Sequence, residues 1–169
     1  YILEQREDEF VISLNERGNI LEYCKIRNKE LAKLYFAIFV KRGVTDFEFP
    51  LLTLINDIED IEVLKEYLTR EQLDNFYSID SRTKEKINFS TELNKIYYVD
   101  ASDNEYNLFY LPNRILQTFY ASIVKLKTIK EWLIQLNGAS GLGDQYEATL
   151  LGYSSEGLSR SDLFVTKEK

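Results

Sequence analysis

Residues 113–136 read NRILQTFYASIVKLKTIKEWLIQL, and this stretch decides the fold class. Ile115, Leu116, Phe119, Tyr120, Ile123, Val124, Leu126, Ile129, Leu133 and Leu136 recur at helical spacing, and Asn137-Gly138 closes the pattern. At about 1.5 Å per residue such a helix is on the order of 36 Å long, enough to cross a small domain. It is therefore expected to be the central helix.

Upstream of it, residues 96–99 and 106–111 alternate in the manner of two strands, joined through the turn-forming residues 100–104 and stopped by Pro112. An opening hairpin is expected from residues 10–14 and 20–26, where Gly18 can supply a positive φ in the turn. Asn28 is placed to cap a helix running to about Arg42, with Leu31, Leu34, Tyr35 and Ile38 on one face and Gly43 as its stop. Phe36, Ala37, Phe39 and Val40 widen its apolar surface, so it should pack on more than one side.

Residues 44–79 read as short helices interrupted by Pro50, which begins a separate turn or helix over 51–58. Ile61, Leu64 and Leu68 mark a second helix, and Leu73 with Phe76 a third. Thr45 with Glu48, and Thr69 with Gln72, have the spacing of reciprocal N-terminal caps. Residues 78–86 are polar and read as a loop.

These elements predict an α+β fold: a helix-rich single globular domain over residues 1–169, with two small β-hairpins packed on a long C-terminal helix. Residues 138–143 are expected to be a flexible link, 145–151 a short helix and 154–169 a loosely ordered tail. One domain suits this length, and the apolar fraction of 44% is enough for a sizeable Leu, Ile, Phe and Tyr core.

The chain has no histidine and one cysteine, Cys24. That removes the commonest general base near neutral pH, zinc sites built from Cys and His, and every Ser/His or Cys/His catalytic pair. A lone cysteine forms no internal disulfide, no stretch has the length of an apolar membrane span, and residues 1–9 turn acidic at once instead of forming a secretory leader. Cytoplasmic residence is the simplest expectation. Cys24 itself reads as a small core residue or inert thiol.

No GxxxxGK[ST] stretch occurs. The glycines at 138, 141 and 143 follow a helix, the context of a C-cap and linker and not of a dinucleotide fingerprint. Asp100, Ser102 and Asn104 imitate the first half of an EF-hand loop, but Glu105 stands where glycine is needed and Leu111 where a bidentate Glu is needed. A polar hairpin turn is the better reading. No cofactor and no metal site is implied.

Charge is the one positive clue, because seven more acids than bases are unevenly spread. Residues 25–42 carry a local balance of +5, and residues 46–80 one of −8. Asp57, Glu59, Asp60, Glu62 and Glu66 are the densest acidic group, partly at the start of an expected helix, where carboxylates oppose the positive end of the helix dipole. Such a surface attracts a basic partner by steering and repels phosphate backbones.

Tyr97, Tyr98, Tyr106, Phe109 and Tyr110 offer aromatic faces of the kind that stack on single-stranded nucleic acid, but Asp100, Asp103 and Glu105 beside them have the wrong sign for it. Cross-strand packing is the expected role of these rings. The leading functional expectation is a non-catalytic protein-interaction module, such as an inhibitor, immunity-type protein or regulatory subunit. It would present Asp57, Glu59, Asp60, Glu62 and Glu66 to a basic protein. Two alternatives stand beside it: a divalent-metal enzyme built on those carboxylates, and a structural domain of a larger protein whose first helix forms an interface.

Overall fold

A computed structural model describes residues 1–108, 110–137 and 150–151. Its elements are arranged as sheet, helix, helix, sheet. Strands β1 (Ile2–Arg6), β2 (Glu9–Glu16) and β3 (Asn19–Ile26) form an antiparallel sheet in that order, which packs on α1 (Lys29–Val44). Helix α1 packs in turn on α4 (Ile115–Asn137), and α4 lies on a second sheet of β4 (Tyr77–Ile79), β5 (Lys86–Ser90), β6 (Lys95–Val99) and β7 (Glu105–Asn107). The short α2 (Leu52–Ile55) and α3 (Ile61–Arg70) also contact α4. The α+β class expected from the sequence is the class found, and both expected hairpins are present as β2–β3 and β6–β7, although β7 ends at Asn107 and not at residue 111 as expected.

Each hairpin belongs to a larger sheet than the sequence suggested. Strand β1 adds to the first, entering β2 through the tight Glu7-Asp8 turn with Arg6 opposite Glu9 and Glu7 at φ 52°. A bulge between β2 and β3 leaves Tyr23 outside the pairing, since Ile12 faces Cys24 while Ser13 faces Glu22. Bulges re-aim side chains. Here the Tyr23 ring lies 5.0 Å from Phe39 and 6.0 Å from Tyr1.

In the second sheet, residues 78–86 are not all loop. Tyr77–Ile79 pairs in parallel with Lys86–Ser90, so the chain reverses and re-enters alongside itself through residues 80–85. Parallel strands ordinarily need a crossover of about a dozen residues. The shorter path is held by Asn88, fully buried, which accepts a hydrogen bond from the Thr83 amide at 2.7 Å and donates to the carbonyls of Thr83 and Lys86 at 3.0 and 2.9 Å. Asp80 and Glu85, at φ 53° and 57°, make its two sharp bends.

The Asn28 side chain caps α1 as expected, accepting from the Leu31 amide at 2.9 Å. Gly43 does not end that helix, which runs on to Val44. Its lack of a side chain admits Tyr1 instead: a Cβ at position 43 would lie 2.7 Å from the ring atom Cε2. The two expected capping boxes are also corrected. Thr45 is the C-cap of α1, and residues 45–49 form no helix because Phe47 and Phe49 turn inward to Trp132 and Tyr120. The Thr69 hydroxyl donates to Asp74, while Gln72 sits at φ 57°. Asp60 is the side-chain cap of α3.

Helix α4 spans about 35 Å and gathers the core, with Leu116, Phe119, Tyr120, Ile123, Leu126, Ile129, Trp132 and Leu133 buried. Phe119 packs against Phe89 at 5.3 Å and edge-on to Tyr77 at 5.9 Å. The Tyr120 hydroxyl accepts from the Leu51 amide at 3.1 Å, tying α4 to the turn after Pro50. Leu150 and Leu151 are helical and buried, and Arg42 donates to the Leu150 carbonyl at 2.7 Å. The expected link at 138–143, most of the helix expected at 145–151 and the tail at 154–169 lie outside the described residues.

Candidate functional site

The acidic group runs from the end of α2 to the second turn of α3, and Asp57, Glu59, Asp60, Glu62 and Glu66 are all exposed. The local sequence explains this. Leu64 and Leu68 turn one face of α3 into the core, which leaves Glu62, Val63, Lys65 and Glu66 facing solvent. Asp60 starts the helix by accepting from the Glu62 amide at 2.8 Å, so this carboxylate is already committed to a structural bond. Glu62 pairs with Lys65 at 3.4 Å, three residues along the same helix.

In the basic stretch Lys33 pairs with Glu30 at 2.9 Å and Arg27 lies near Glu9 at 3.6 Å, while Lys41 sits 4.9 Å from the centre of the Trp132 ring. Lys33 draws the Glu30 carboxyl below its usual range. Among the described residues no ion pair joins the 25–42 block to the 46–80 block. The two charge blocks therefore do not cancel one another through direct contact. Exposed apolar side chains, Leu54 and Val63, lie in the same segment as the acids.

Nor do the acids converge. Among the described residues no group of three or more Asp, Glu, Cys or His could hold a metal ion. The EF-hand-like residues behave as a turn: Asp100 is fully buried and its carboxylate accepts from the Asn104 amide at 2.8 Å, the Asn104 side chain at 3.0 Å and the Tyr106 hydroxyl at 3.0 Å. Burial, reinforced by Asp100, pushes the Tyr106 phenol up to about 12. Tyr97, Tyr98 and Tyr106 are buried, and Tyr98 faces Tyr106 across the β6–β7 pair with ring centres 6.3 Å apart. These rings pack the sheet and offer no open stacking face; Phe109 lies outside the described residues.

Cys24 is half-buried, and desolvation pushes its thiol up to about 12. At neutral pH it carries almost no thiolate and is a poor nucleophile.

A feature with no signal in the residue pattern is a polar cavity of about 380 Å³ lined by Asp80, Ser81, Arg82, Ser90, Thr91, Glu92 and Tyr97. It forms where the 80–85 connection meets the turn after β5. Two of its charged groups are engaged with the protein: Asp80 accepts from the Thr91 amide and hydroxyl at 2.8 and 2.7 Å, which holds its carboxyl below the usual range. Arg82 binds the Asp103 carboxylate and, at 2.9 Å, the Asp103 carbonyl. These bonds fasten the connection to both neighbouring turns, a structural use of the residues.

A second feature invisible to sequence reading is Lys125, on the part of α4 turned toward α1. Burial first, and Arg42 second, lower its pKa below the usual lysine range. No helix among the described residues is long and apolar enough to cross a membrane. No protein-family model, curated protein or solved structure matches the chain.

Proposed function

We propose that the protein is a non-catalytic interaction module that presents the segment bearing Asp57, Glu59, Asp60, Glu62 and Glu66 to a basic protein partner. An inhibitor, an immunity-type protein or a regulatory subunit would use such a surface. The observation that carries the reading is that a segment with ten acids and two bases between residues 46 and 80 forms no ion pair with the basic 25–42 block among the described residues. The five carboxylates at 57–66 are exposed, and an exposed acidic surface raises the encounter rate with a positively charged one. Val63 and Leu54, exposed in the same segment, supply apolar contact area once the partner has arrived.

The test is affinity capture from a lysate of the source organism at low and high salt, alongside a variant combining Asp57→Asn, Glu59→Gln, Glu62→Gln and Glu66→Gln. Asp60 is left intact because it caps α3. The expected result is a basic protein retained at low salt, released at high salt and retained poorly by the variant. Equal retention by the variant rejects this surface, and an empty capture rejects the partner.

A further inference from the structure

We draw no further inference here: the strongest candidate, the outward stripe of α1 formed by the exposed Lys29, Lys33, Val40 and Val44, is an unpartnered helix face, and nothing in the structure shows what covers it.

Discussion

The two sheets differ in how far their backbone depends on buried hydrogen-bonding side chains. In β1–β3 the charges lie outside, where Arg6 joins Glu4 on its own strand and Glu22 on β3, and Arg27 approaches Glu9. Val11 is buried although its register partners Glu4 and Lys25 are exposed, and Ser13 is buried two residues further along β2. In β4–β7 Lys95 and Glu105 pair at the surface too, but two polar groups also lie inside: Asn88 and Asp100 are both fully buried, and each serves as the hydrogen-bonding partner for a tight piece of backbone. The contrast follows from connectivity. A plain antiparallel meander satisfies its own amides, whereas a six-residue parallel return (residues 80–85) and a compact 100–104 turn leave amides that only a buried side chain can reach. Deleting a polar side chain should therefore be costly in the second sheet and cheap in the first.

Asn88→Ala is the largest expected effect. It removes three hydrogen bonds and strands the Thr83 amide and two carbonyls in a buried site, for a loss of about 3 kcal/mol in urea unfolding. A loss below about 1 kcal/mol, the range of a surface ion pair, would break the contrast between the sheets.

Tyr106→Phe comes next, at about 1–2 kcal/mol near neutral pH, because Asp100 loses one of its three donors and keeps Asn104. Its pH dependence has a definite sign. The folded phenol is raised to about 12 from 10.0, so its contribution is fully present below pH 10 and is lost as pH climbs through about 12. The stability gap between wild type and variant should narrow across that window in alkaline unfolding titrations. A gap that widens there would mean that Tyr106 does not carry the proton the buried Asp100 pairing requires.

How much of this was legible in the sequence depends on whether a signal was local. The period of α4, the Asn28 cap and the Gly18 hairpin are short-range patterns with a mechanism, and each corresponds to an element found. Strand β1 was not legible because its turn, Glu7-Asp8, lacks the glycine or asparagine that usually marks a two-residue hairpin loop. Strands β4 and β5 were hidden by Asn88, a polar residue inside a strand, and by the charges at 80–85. Their roles exist only once Thr83 and Thr91 are folded back on them. The capping boxes at Thr45 and Thr69 failed for the opposite reason: the local spacing was right, but burial of Phe47 and Phe49 and the Thr69–Asp74 bond overrode it. The acidic segment was legible as composition, and its helix start as the Asp60 cap. That its charges find no basic partner block among the described residues is a property of three-dimensional placement.

On the other side of the contrast, Arg6→Ala should leave the urea-unfolding midpoint almost unchanged, although Arg6 joins two carboxylates. All three side chains are about half exposed, and salt screens much of the attraction between them. Raising salt should shrink the difference from wild type further. A large, salt-independent loss would show that the outer face of β1–β3 is as demanding as the interior of β4–β7.

The smallest expected effect is at Gly43, and its value lies in a sign. Glycine inside α1 is worth about 0.5–1 kcal/mol less than alanine in helix propensity. The Tyr1 ring occupies the space that a Cβ would need, 2.7 Å away, while touching Tyr23 and Phe39 at 6.0 and 5.9 Å. Moving that ring forfeits part of two aromatic contacts, each worth about 0.5–1.5 kcal/mol. Gly43→Ala should therefore be nearly neutral alone, because gain and loss are of similar size. In a Tyr1→Ala background the steric term vanishes and only the propensity remains, so the same substitution should stabilise by about 0.5–1 kcal/mol. If Gly43→Ala destabilises equally in both backgrounds, the ring is not what selects glycine there. The first sheet would then be joined to α1 by something other than the apolar contact that sets it apart from the second.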